Sequence, residues 1–274
     1  METVPVQNIS LTGNVLLYTQ PELLSREHHG SLGVNVAPTR FGFASGAHVS
    51  PLTVPEFGPA ALSYPIIFVG NDVQPVAVMG LEEGQNLFCT PEKGFEVDAY
   101  ITCYIRRYPF VLAAAENQPA NEEERMLVGI DRGYPFLVEK GEYRLFENGE
   151  PTEYTQNCIK FCNDFETQHR MTQSFIQMLK DMDLFEPRSA TYTPTNADGT
   201  PAEPVTVAQF QAVSETKLNA LPDAKINELR STGALSQIYA HLNSLFGWER
   251  LIIRAMARQQ AAMDAAASAA TGAA

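Results

Sequence analysis

The sequence predicts an α+β fold, with antiparallel strands and hairpins in the first half packed by long amphipathic helices from the second half. Three observations carry that expectation. Between Tyr64 and Phe146, short β-branched and aromatic runs alternate with Gly, Pro and Asn turns. From Thr152 the apolar period lengthens from two residues to about 3.6. The strands come first and the helices later, an order that argues against a doubly wound sheet.

Residues 1–60 are turn-rich, punctuated by Pro21, Gly30, Gly33, Pro38 and further Gly and Pro up to Pro59. They read as an irregular lead-in packed on a single α+β domain expected over 61–260. A flexible Ala-rich tail, a frayed helix end, is expected over 261–274. Within the domain, Tyr64–Val69 and Gln74–Leu81 form a hairpin around Gly70-Asn71-Asp72, with Pro75 demoting the second strand to an edge or a strand start. Asn86–Cys89 is a short strand. Asp98 caps a short helix that Pro109 stops, because the residue before proline leaves the helical region. Phe110–Ala114 and Met126–Ile130 pair around an acidic loop, Glu116–Glu124, and Tyr143–Phe146 is a further strand closed by Asn148-Gly149. Cys158, Phe161, Cys162, Phe165, Thr172, Phe175, Ile176, Leu179 and Met182 place one long helix from Thr152 to near Asp183. Arg188–Val207 reads as an exposed, proline-blunted hairpin around Asn196–Gly199. Two helices come next. One starts near Ser214 or Pro222 and breaks at Gly233; the other runs through Leu235, Leu245 and Met256.

Composition excludes several function classes. The 274 residues carry 19 Lys+Arg against 32 Asp+Glu, a net charge of -13. That balance opposes nucleic-acid binding and docking on anionic lipid, both of which need a basic face. No apolar run approaches the ~20 residues of a spanning helix, so no membrane span is expected. The N-terminus has neither a basic nor an apolar signal region, so the expected compartment is the cytoplasm, with signal-less export to the cell surface as the alternative. Cys89, Cys103, Cys158 and Cys162 read as reduced, packed thiols.

The candidate site residues are few. Arg106, Arg107 and Tyr108 form a basic and aromatic stretch whose guanidinium forks suit a carboxylate or phosphate. The competing reading has both arginines neutralising the chain's own acids, among them Glu82, Glu83, Asp98 and Asp131. No cofactor or metal is expected. The alternative places iron or zinc on His28, His29 and His48 with Glu27 or Glu56, although neighbouring residues of an extended chain face opposite ways. Cys158, Cys162 and His169 share one helix face, but so do Phe165, Phe175 and Leu179, which describes a core stripe. Glu56 and Asp131 would serve as an acid–base pair only if brought together.

Three strings in order, Tyr64-Pro65-Ile66-Ile67-Phe68, Gly80 to Phe88 and Tyr104 to Phe110, resemble the SapC family of bacterial proteins. Leu145–Thr152, Asp183–Pro187 and Gly233–Leu245 agree, so the resemblance spans roughly Asn8 to Arg258. Phe95 stands where the family usually carries tryptophan, and Cys103 where a small residue is common. The resemblance implies an accessory or binding protein linked to a surface-layer, envelope or uptake system, with a protein partner there. The alternatives are a metal-dependent, oxygenase-like modifying enzyme or its partner, and an exported subunit of the layer itself.

Overall fold

The computed structural model describes residues 17–39, 41–114, 126–193, 200 and 203–272. The expected acidic loop Glu116–Glu124 and the turn Asn196–Gly199 lie outside the described residues. Fifteen short strands are described: β1 Pro21–Leu23, β2 Leu32–Val34, β3 Val49–Pro51, β4 Ile66–Val69, β5 Gln74–Val78, β6 Cys89–Thr90, β7 Gly94–Phe95, β8 Phe110–Ala114, β9 Met126–Asp131, β10 Leu137–Glu139, β11 Tyr143–Arg144, β12 Phe146–Glu147, β13 Glu150–Pro151, β14 Phe185–Tyr192 and β15 Val205–Val213. The helices are α1 Arg26–His29, α2 Phe57–Ala61, α3 Cys103–Arg106, α4 Glu153–Asp181, α5 Glu215–Asn219, α6 Asp223–Ser231, α7 Ala234–Ser244 and α8 Gly247–Gly272. Every strand pairing is antiparallel, in sheets ordered β14-β15-β4-β5-β3, β1-β9-β8 and β10-β2-β11, with two separate hairpins. The fold is α+β, as the sequence predicts. Among the described residues no helix is long and apolar enough to cross a membrane.

Helix α4 organises the molecule. Thr152 caps it by accepting from the Thr155 N–H, and its 29 residues extend roughly 43 Å. Its first turns bury Cys162 against Leu32, Phe110, Ile130 and Leu145, the core under β2, β8, β9 and β10. Its last turns bury Phe175, Ile176 and Leu179 in a larger core with Phe57, Ile66, Phe68 and Ile238. Between the two, Phe165 meets Cys103 and Tyr104 in a small third cluster. Helix α3 therefore sits at the joint between the two large cores.

Local details depart from expectation where tertiary contacts decide. Helix α3 begins at Cys103, because Thr102, not Asp98, accepts from the Ile105 N–H as N-cap. The strand expected over Tyr143–Phe146 divides at Leu145, whose N–H bonds Leu32 while its carbonyl accepts from Thr155. The last long helix is broken between Ser244 and Gly247. A Cβ on Gly247 would lie 3.3 Å from Pro65, so the break brings α8 close to the start of β4. β15 and β4 pair at one residue only, Gln211 with Phe68. Beyond it, His241 of α7 replaces backbone partners: its Nε2 accepts from Val213 N–H at 3.1 Å and its Nδ1 donates to Ile66 O at 2.9 Å. Ser244 accepts from Ile66 N–H at 2.9 Å, which completes the seam.

Candidate partner-contact site

The end of α3 places two adjacent arginines in opposite environments. Consecutive residues of a helix are about 100° apart, so Arg106 and Arg107 leave the backbone in different directions. Arg106 is exposed. Its guanidinium lies 5.8 Å from the Tyr100 ring centroid and 5.5 Å from that of Phe161. Its Nη2 donates to Cys103 Sγ at 2.9 Å and, more weakly, to Tyr100 Oη at 3.4 Å. Arg107 is only 4% exposed. It lies over Phe165 at 4.4 Å, Tyr104 at 4.6 Å and Tyr18 at 5.8 Å, and its Nε and Nη2 have no hydrogen-bond partner. The nearby Cys162 thiol supplies no negative charge, because burial pushes its pKa up to about 12.

Neither arginine forms an ion pair with the expected acids among the described residues. Asp131, buried on β9, is satisfied instead by the N–H groups of Thr19 at 3.0 Å, Gln20 at 2.7 Å and Gly133 at 3.1 Å. The Tyr108 hydroxyl adds a bond of 2.9 Å. Burial, and then the Asp131 charge, hold that hydroxyl protonated well above the usual tyrosine range. The Tyr108 ring packs on Phe43, Tyr18 and Tyr134 with centroids 4.6, 5.1 and 5.2 Å away. Tyr108 thus ties the segment to β9.

Glu56 anchors the other side of α3. Its carboxylate is buried and accepts from Thr53 N–H at 2.9 Å, Thr53 Oγ1 at 2.8 Å, Cys103 N–H at 2.6 Å and Tyr100 Oη at 3.1 Å. The Thr53 contact is the reciprocal half of a capping box. Thr53 Oγ1 also lies 3.0 Å from Gln168 Oε1; having one proton, it bonds both groups only with the Gln168 amide turned to present its nitrogen. Glu56 and Asp131 share no partner, so the structure does not join them as an acid–base pair.

The other sequence candidates stay apart. His28 is exposed, whereas His29 is buried with Nε2 donating to Glu22 at 2.9 Å and Nδ1 accepting from Ser25 N–H at 3.1 Å. Both ring nitrogens of His29 are thereby occupied. His48, half-buried, precedes β3 and lies beside Gly80. Glu27 is exposed on α1. His169 pairs with Gln173 at 3.1 Å, and burial lowers its pKa. Among the described residues no three His, Cys, Asp or Glu side chains converge as a metal-holding group.

Sequence reasoning missed the aromatic cage of Arg107, although two of its rings, Tyr104 and Phe165, are visible as apolar helix positions. It also missed the seam built by His241 and Ser244, for which no local pattern exists.

No curated protein and no solved structure matches the chain. The sequence model of the SapC family matches residues 24–251, which includes α3, both carboxylates and α4. On that match over most of its length, the chain belongs to the SapC family.

Proposed function

We propose that this SapC-family protein is a non-catalytic accessory of a surface-layer or envelope-linked system, acting from the cytoplasm and binding a protein partner through the surface around Arg106. The observation that carries the reading is the exposed Arg106 guanidinium, which is held over Tyr100 and Phe161 yet paired with no acid among the described residues. Arginine beside tyrosine is the composition of an interface anchor, and the stacking leaves part of the fork free for a partner's carboxylate. Arg107 and Tyr108 serve that contact indirectly, by fixing the end of α3. The test is affinity capture of tagged wild-type and Arg106→Glu protein from cells that naturally produce it. Envelope-linked proteins enriched with wild type and lost with a folded Arg106→Glu variant support the reading. Identical capture by both overturns it.

A further inference from the structure

We infer that a second site, between α1 and the β12–β13 hairpin, binds a small hydroxylated phosphate monoester such as a sugar phosphate. It is independent of the partner role proposed above. A pocket of about 280 Å³ is lined there by Arg26, Arg144, Glu147, Asn148 and Gly149, among others. Its volume is near the lower edge of small-molecule pockets, roughly 300 Å³, and exceeds what a bare anion fills.

The pocket is built by parts of the chain far apart in sequence. Arg26 opens α1, whose end is pinned from beneath by buried His29 on Glu22. Arg144 comes from β11, which pairs with Gly33 of β2. The hairpin register, Glu147 opposite Glu150, leaves Asn148-Gly149 as a two-residue turn with φ of 52° and 87°. Both values belong to the left-handed region, which suits Asn-Gly in a turn of this type. The turn also lies close under Arg26: a Cβ at position 149 would stand 3.0 Å from Arg26 Nη1. The missing side chain is the space in which the Arg26 guanidinium lies over the turn.

The electrostatics select the ligand. Among the described residues neither Arg26 nor Arg144 forms an ion pair, although Glu147 lines the same pocket. With Glu147 offsetting one of the two cations in the lining, the match to a phosphate monoester rests on the planar guanidinium forks, whose paired N–H groups suit phosphate oxygens in bidentate geometry. Glu147 and the Asn148 amide then offer acceptors to hydroxyl groups on the same ligand.

Titration calorimetry on the full chain tests the assignment with glucose 6-phosphate, glucose and inorganic phosphate as probes. The expected result is saturable one-to-one binding of glucose 6-phosphate, weaker binding of inorganic phosphate and none of glucose. Arg26→Gln or Arg144→Gln, with unchanged melting, should each weaken it roughly tenfold, the loss of one charge-assisted pair. Absence of saturable binding overturns the site. So does undiminished binding by the folded Arg26→Gln/Arg144→Gln double variant. Inorganic phosphate binding as tightly as the sugar phosphate overturns the ligand class.

Discussion

Glu56 and Arg107 are buried charges attached to the same short helix, and they are accommodated in contrasting ways. Glu56 accepts four hydrogen bonds from neutral donors, two of them backbone N–H groups. Arg107 is surrounded by three aromatic rings and leaves two nitrogens without any acceptor. The molecule does not pair them. Dipoles settle its buried carboxylates, Asp131 included, while ring faces partly settle its buried cation. The contrast has an energetic consequence. A fully satisfied carboxylate is expensive to remove, because its donors are left orphaned. An under-satisfied guanidinium has already lost its water, and its cation–π gain is offset by that loss.

The largest expected effect comes from the carboxylate. Glu56→Ala should lower unfolding free energy by about 3 kcal/mol or more, since four donors lose their acceptor in a buried site. Urea denaturation measures it, and a loss under about 1 kcal/mol would break the contrast at its stronger end.

A buried neutral group sharpens the rule next. Burial depresses the His241 pKa from 6.5 to about 4, although its bond to the Ile66 carbonyl opposes that shift. Unfolded chains therefore take up the proton first, and stability falls as pH drops from about 6.5 to about 4, by roughly 3 kcal/mol in all. Carboxyl groups in general also ionise near this range, so the discriminating measurement compares wild type with His241→Gln. The variant should show a visibly flatter pH dependence, and equal slopes would remove His241 from the account.

A smaller change is expected at the cation. Arg107→Met keeps the volume among Tyr18, Tyr104 and Phe165 and should shift stability by no more than about 1 kcal/mol. A loss above about 3 kcal/mol would mean that the guanidinium is a net stabiliser after all. Smallest is Arg106→Ala, whose exposed side chain should alter stability by about 0.5 kcal/mol or less while partner capture is lost.

How much of this was legible in the sequence depends on whether local chemistry or distant contacts decide. Helix α4 was legible from its Thr152 cap and its apolar period, and the β4–β5 hairpin from Gly70-Asn71-Asp72. The break before Gly247 was not, because the apolar spacing of Leu242, Leu245 and Ile252 runs straight through it, and its close approach to Pro65 is a distant contact that no local pattern marks. The strands of β1 and β2 are three residues long and pair with β9, β10 and β11, about a hundred residues away, so no local pattern marks them. At the site, the arginine pair stood out by its charge in an acidic chain. Which arginine is buried depends on the position of α4 against α3, which no local motif encodes.

The claim that one arginine of the pair faces a partner while the other belongs to the core is tested most directly by parallel capture with wild type, Arg106→Glu and Arg107→Met. Each protein is tagged, confirmed as folded and recovered from cells that naturally produce it. The account predicts that the partner proteins seen with wild type persist with Arg107→Met and disappear with Arg106→Glu. Partners retained by Arg106→Glu, or lost with a folded Arg107→Met, would contradict it.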